Sequence, residues 1–368
     1  MSTLTNKRRN WIDISRGIAI LLVVLGHIIL LENPDNSHLL NNVQLYIYSF
    51  HVPLFFIISG TLMYYSKDRY ADYDILDLIK NKAKALLFPY ITFSLFAIVV
   101  SFVMHHSIFS IAKKLFRVIS FVGLNALWFL PCLFLAEVIF FITRKKIKNN
   151  LLLIFVIFVF FVLSSSFAYL KNNIFFDSNL MSEVLNLVNV FSKALVACIF
   201  MYLGYFIQYF VTEKLQKLNH NSNLLLTLLG CVILFVVHFL LFKLNPDVDL
   251  NNSKLGNPIL YYIIAFLGSY ATILLSMILK DFKLLIFYGQ NSLIIMATHL
   301  SLPLINAIKF ISNSIFNNIN IIILNVLIFV GVMFIESLLI LLLNKYLKFT
   351  FNYKCFKEII SRRKYGTD

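Results

Sequence analysis

Arg16 and His27 stand in one apolar segment, Trp11-Ile-Asp-Ile-Ser-Arg16-Gly-Ile-Ala-Ile-Leu-Leu-Val-Val-Leu-Gly-His27, separated by ten residues. An ionisable group near the centre of a spanning helix costs roughly 2.5 to 3.5 kcal/mol, so each one needs a partner, a cavity or a function. Histidine titrates near neutral pH and suits general-base work. Arginine suits phosphate recognition, because its planar fork grips oxygens and stays charged. Eleven helical positions cover about 16 Å and close to three turns, so the two side chains share a face without touching. They read as two stations along one path.

The elements that carry them follow from composition. The chain has 368 residues, 60% hydrophobic and 13% charged, with a mean hydropathy of +0.83. Soluble domains are about 25% charged, so the pattern is that of a multi-pass protein whose first partner is the lipid bilayer. The net charge of +15 does not indicate nucleic acid, because the basic residues cluster between apolar runs as topology signals do. Cys132, Cys198, Cys231 and Cys355 have no metal-ligand spacing and read as packing residues. Lys7-Arg8-Arg9 before an apolar run also resembles a signal peptide, but Asp13 and Arg16 interrupt that run and no small-x-small site follows. A retained first helix is expected.

Runs long enough to span lie at 11–31, 46–66, 86–105, 120–142, 150–169, 188–210, 223–243, 258–279, 284–303 and 320–343. The expected fold is all-α, a polytopic transmembrane bundle of about ten spans. Cytoplasmic termini place most of the 32 basic residues on the inner side, including Lys67, Arg69, Lys80, Lys82, Lys84, Arg144, Lys145, Lys146, Lys148, Lys214 and Lys217. Lys113, Lys114 and Arg117 are discordant, and 106–119 fits an interfacial helix. The stretch 67–84 reads either as amphipathic at the inner surface or as a solvated connector. No linker or repeat divides the chain, so one membrane domain, 1–345, and a short basic tail, 346–368, are expected.

Topology assigns depths at 1.5 Å per residue. His27, His51 and His299 fall roughly 22 to 24 Å from the inner ends of three different helices, at one level. Nearer the inner side lie Arg16, Ser59, Asn291, Ser292 and Glu336, all roughly 8 to 12 Å deep, with Asp13 and Lys84 at the rim. Together these describe a polar vestibule, in which Glu336 or Asp13 balances Arg16. A base toward the outside and a phosphate binder toward the inside suit acyl transfer from coenzyme A. Structural readings stand beside these. His51 also fits an interhelical hydrogen-bond partner, His238 has no motif around it and reads as structural, His105 and His106 read as interfacial, and Arg16 fits a side chain snorkelling to the inner surface. Glu137 has no assigned role.

The motifs also resemble a known family. Asp13-x-x-Arg16-Gly-Ile-Ala with Gly26-His27, then Phe50-His51-Val-Pro53-Leu-Phe55-Phe56-Ile-Ile-Ser59-Gly60, is similar to the opening of the acyltransferase 3 family of integral-membrane O-acyltransferases. Leu86-Leu87-Phe88-Pro89-Tyr90, Leu127-Trp128-Phe129-Leu130 and Gly289-Gln290-Asn291-Ser292-Leu293-Ile294 with His299 extend the resemblance in order to about residue 300. The pattern is especially similar to the fucose 4-O-acetylase-like, surface-polysaccharide branch. The resemblance implies a ten-helix enzyme of the bacterial cell membrane that passes acetyl groups from cytoplasmic acetyl-CoA to a cell-surface or lipid-linked glycan. Its Arg/Lys-x10-His pattern maps onto Arg16 and His27, with the histidine essential. The Arg-x-x-Arg pair of some members is replaced by Lys80, Lys82 and Lys84 at different spacing.

The candidate catalytic residues are therefore His27, Asp13, His51 and His299. The candidate donor-binding residues are Arg16, Lys84, Ser59, Asn291 and Ser292, and no metal set is evident. His27 would take the proton of a sugar hydroxyl as it attacks the thioester, either directly or with His27 as a transient acyl carrier. Ser59 and Asn291 are oxyanion donors if packing brings them within reach, though their depth favours the pantetheine path. A glycan exporter or flippase, in which polar layers line a conduit without proton chemistry, is the rival reading. A structural or sensory membrane protein would leave both polar layers unexplained. The acceptor sugar, the acyl group beyond acetyl and the oligomeric state do not follow from the sequence.

Overall fold

The computed structural model describes residues 10–33, 37–103, 107–173, 179–210, 223–302, 304–315 and 320–347, which are helical with no strand among them. Lys7, Arg8, Arg9, His105, His106, Lys214, Lys217, Cys355 and the expected tail beyond Leu347 lie outside the described residues. The helices in chain order are α1 Asn10–Leu31, α2 His38–Tyr48, α3 His51–Tyr65, α4 Lys67–Ala71, α5 Ile75–Lys82, α6 Phe88–Val103, α7 Ile108–Ile119 and α8 Phe129–Lys146. They continue as α9 Asn150–Asn173, α10 Asn179–Phe210, α11 Asn223–Leu241, α12 Pro258–Leu279, α13 Lys283–Gln290, α14 Ser292–Thr298, α15 Leu304–Ile315 and α16 Ile321–Tyr346.

Nine helical stretches among the described residues are long and apolar enough to cross a membrane: 10–31, 38–65, 75–103, 125–146, 150–171, 184–210, 224–244, 258–279 and 321–346. The expected span 284–303 is not among them. It breaks at Asn291, whose side-chain Nδ2 donates to the Phe287 carbonyl at 2.8 Å and draws the backbone out of the helix. The broken segment still accompanies α1, from a 2.6 Å hydrogen bond between Asn10 Nδ2 and Asp281 Oδ1 to the ring pair His27 and His299. Non-helical backbone at membrane depth is tolerated where protein surrounds it, as here. The inner side is taken below as the side at which α1 begins.

The second span is also interrupted, at Ser49 and Phe50. Pro53 follows two residues after His51. A proline is tolerated in the first turn of a helix but not further in, so the helix restarts at His51. Pro89 leaves a similar mark: a π-helical turn, Ala83–Leu87, precedes it and absorbs the bond its ring excludes. That turn joins α5 to α6, so the inner stretch 67–84 is largely helical, and α7 forms a separate amphipathic helix over much of 106–119.

The centre of the bundle is α1, α3, α8 and α10. In the apolar window of α8, 72% of residues are buried, against 11% for the stretch containing α11, which faces lipid. Glycines set the closest approaches. A Cβ at Gly60 would overlap the Met201 carbonyl, and one at Gly204 would overlap that of Ile57, locking α3 to α10 backbone to backbone. Gly17 and Gly289 do the same for α1 and α13, against the Leu285 and Asp13 carbonyls. The helix carrying Arg16 and His27 is thereby held to the segment carrying His299.

Candidate functional site

Two cavities flank the middle of α1. The outer one, of about 260 Å³, is lined by His27, His51, Asn125, Trp128, Asp249 and Tyr261 among others. The inner one, of about 290 Å³, is lined by Arg16, Ser59, Ser66, Tyr70, Lys82 and Glu137 with apolar neighbours. On α3 the outer lining ends at Phe55 and the inner begins at Ser59; on α8 the corresponding residues are Phe129 and Leu133. One helical turn, about 6 Å, separates the chambers. Phe56 stacks on Phe129 at 5.2 Å between centroids and Phe55 meets the same ring edge-on at 5.4 Å, so the partition is aromatic.

At the outer chamber the histidine protons follow from the hydrogen bonds. His299 Nδ1 lies 2.6 Å from the Ile295 carbonyl oxygen, which only accepts, so this nitrogen carries the proton. The Nε2 of neutral His299 is then an acceptor. His27 Nδ1, 3.0 Å away, donates to it. The remaining nitrogen of His27, Nε2, keeps its lone pair on a ring that lines the chamber. The two rings stack at 5.2 Å between centroids, which fixes the His27 plane. His51 is arranged alike: its Nδ1 donates to the Ile47 carbonyl at 2.8 Å, leaving Nε2 as an acceptor on a ring that lines the same chamber. His299 and His51 thus stand where a broken helix ends or restarts. Among the described residues no three His, Cys, Asp or Glu side chains are grouped to hold a metal ion.

Polar residues from a different part of the chain complete this chamber. The segment after α11 folds inward and offers Asp249, Asn251 and Asn252. It is pinned by Lys193 Nζ to Asn251 Oδ1 at 3.1 Å, Lys171 Nζ to the Asn252 carbonyl at 3.0 Å and Asn189 Nδ2 to the Asn251 carbonyl at 2.9 Å. Lys193 is 2% exposed and sits 4.5 Å above the Trp128 ring, so a buried cation braces both the loop and the aromatic wall. Tyr261 lines the chamber, and its buried hydroxyl has no hydrogen-bond partner among the described residues. Sequence reading passed over this loop because its polar residues resemble any outer connector. The one available signal was Lys193, a lone cation inside an apolar run.

At the inner chamber the lysine is Lys82, not Lys84. Lys82 Nζ pairs with Glu137 Oε2 at 3.0 Å inside the lining, whereas Lys84, two positions on, projects from the π-helical turn and lines neither chamber. Ser59 is in the lining. Asn291 and Ser292 are in neither; Asn291 Oδ1 accepts from Asn344 Nδ2 at 2.9 Å and ties the helix break to α16. Asp13 is buried at the start of α1 and accepts from Gln290 Nε2 at 3.2 Å. Glu336, expected with Asp13 as one of two alternative carboxylates to balance Arg16, lies with its Oε2 2.7 Å from Thr298 Oγ1, next to His299. Its depth was underestimated because α16 runs on to Tyr346. His238 is enclosed by Tyr46 and Phe50 and its Nε2 meets Ser49 Oγ at 2.8 Å, apart from both chambers.

This arrangement provides an oriented imidazole base at one chamber and cations at the other, on one helix, with an aromatic layer between. A family model described as an acyltransferase domain matches residues 9–342. No curated protein and no solved structure matches the chain.

Proposed function

The chain belongs to the acyltransferase family whose model spans residues 9–342, and from that membership we propose that it carries an acetyl group from acetyl-CoA at the inner chamber to a glycan hydroxyl at the outer one. It is a multi-pass membrane acyltransferase. The observation that carries the finer reading is the chain of bonds from Ile295 through His299 to His27, which leaves His27 Nε2 basic and aimed by a fixed ring.

His27 Nε2 takes the proton of the sugar hydroxyl while its oxygen attacks the thioester carbonyl. The C–O bond forms, the tetrahedral intermediate collapses with loss of the C–S bond, and the imidazolium returns its proton to the departing thiolate. His299 accepts from His27 Nδ1 throughout and so stabilises the imidazolium. The unpartnered Tyr261 hydroxyl is the donor for the developing oxyanion. Asp249, Asn251 and Asn252 offer carboxylate, amide and carbonyl groups suited to the acceptor's remaining hydroxyls, and Trp128 offers a ring face for a sugar to lie against. Arg16 and Lys82 attract the anionic donor from the inner side and offer hydrogen-bond donors to the carbonyls of its pantetheine arm. The acceptor is a cell-surface or lipid-linked glycan, O-antigen, capsule or exopolysaccharide, and the setting is the bacterial inner membrane.

Purified protein given labelled acetyl-CoA and surface glycan tests this. Wild type is expected to transfer label, His27→Gln to lose at least 10³-fold, and Tyr261→Phe to lose about 10². Equal transfer by wild type and His27→Gln would sink the base assignment. No transfer by wild type, with glycan export depending on the protein, would favour the exporter reading.

A further inference from the structure

A third cavity, of about 220 Å³, opens at the inner surface beside the donor chamber and shares Met63 and Tyr70 with it. Its lining combines four cations, Lys67, Arg144, Lys145 and Lys148, with the rings of Tyr70, Phe140, Phe141 and Tyr205. We propose that it holds the nucleotide end of the acyl donor, an adenosine carrying phosphates at its 3′ and 5′ oxygens. The inference rests on the acetyl-CoA reading and adds to it the site of the donor's charged end.

Each part of that ligand meets its chemistry. Arg144 lies over the Tyr205 ring at 4.9 Å and donates to its hydroxyl at 3.3 Å, so the guanidinium is held in place rather than sampling solvent. A fixed guanidinium binds a phosphate face with little further ordering cost. Lys145 is held by the Tyr73 carbonyl at 2.6 Å and by Asp74 at 3.5 Å, a carboxylate that is 85% exposed and therefore a weak competitor. The ring walls suit a purine, which stacks on aromatic faces. Lining cations without aromatic walls would suit any polyanion; the combination selects a phosphorylated base.

The position of the cavity supports the same occupant. Met63, shared by the two inner cavities, and His51, at the outer chamber, are twelve residues apart on α3, about 18 Å of rise. That distance is the reach of an extended pantetheine arm. An anionic lipid headgroup has the phosphate chemistry but would need its acyl chains to leave toward the bilayer, whereas this cavity shares Met63 and Tyr70 with the inner chamber lined by Arg16 and Lys82.

Full-length protein in detergent is titrated with coenzyme A, adenosine 3′,5′-bisphosphate, dephospho-coenzyme A and S-acetylpantetheine. Adenosine 3′,5′-bisphosphate is expected to bind and to compete with coenzyme A. Arg144→Ala and Lys148→Ala are expected to lower coenzyme A affinity at least tenfold relative to S-acetylpantetheine affinity, and Arg144→Lys, a folding control, to lose less. Coenzyme A binding that is equal in wild type and Arg144→Ala would overturn the proposal while leaving the donor reading intact. Failure of wild type to bind coenzyme A at all would overturn the donor reading and the nucleotide site together. In nanodiscs, a loss of phosphatidylglycerol binding in Arg144→Ala with adenosine 3′,5′-bisphosphate binding retained would make the cavity a lipid site and overturn the proposal.

Discussion

Because His299 Nδ1–H donates a hydrogen bond to the Ile295 carbonyl, its Nε2 can only accept from His27, and the basic nitrogen of His27 is selected two bonds away from the reaction. Removing His299 therefore leaves the base present but free to adopt the other tautomer or to rotate. His299→Ala is expected to lower kcat about 10²-fold with little change in the KM for acetyl-CoA, since the proposed donor station at Arg16 lies on another level. A KM rise with kcat preserved would mean that His299 shapes the donor path instead. The sequence made the three histidines legible as one layer through helical rise alone, and the same arithmetic placed Arg16 and Ser59 together. It underestimated the depth of Glu336, because α16 runs on to Tyr346, and it singled out Lys84 where Lys82 is in the lining, because rise does not give which way a side chain turns. Asp249, Tyr261 and Lys193 were beyond it, since they come together only through the folding of the loop after α11 onto α10.

At the scale of helices, the site depends on two breaks and on the glycines that hold the broken pieces. Hydropathy finds continuous apolar runs, so nine crossings were legible while the break in 283–302 was not: it arises from one side-chain bond at Asn291 within an otherwise apolar run. The α13 to α14 segment has no long helix of its own to hold it, so its position depends on contact with α1. A methyl group at Gly289 would overlap the Asp13 carbonyl, and backbone cannot yield as a side chain would. Gly289→Ala is expected to destabilise by about 1 to 3 kcal/mol, read as a lower melting temperature in detergent. It is also expected to lower kcat by about 10²-fold, because displacing the segment by an ångström moves His299 and thus His27. An unchanged melting temperature with normal transfer would show that α1 and α13 are not in backbone contact.

For the molecule as a whole, the consequence of the fold is that the inner and outer chambers are separated by a layer of phenylalanine rings. The layer has a chemical purpose under the proposed reaction. A thioester that reached the outer chamber without an acceptor would meet water beside a prepared base, and His27 Nε2 would activate water as readily as a sugar hydroxyl. Phe129 is the ring that both Phe55 and Phe56 pack against, so its removal opens the layer without altering either chamber's polar lining. Phe129→Ala is expected to raise acetyl-CoA hydrolysis several-fold in the absence of glycan and to leave a smaller share of turnover going to the acceptor. The measurement is free coenzyme A released with and without acceptor, with His27→Gln in the Phe129→Ala background as the control that ties the leak to the base. If Phe129→Ala loses transfer without gaining hydrolysis, while its melting temperature is kept, the ring positions the thioester rather than shielding it. The partition would then be part of the binding site and not a barrier between two.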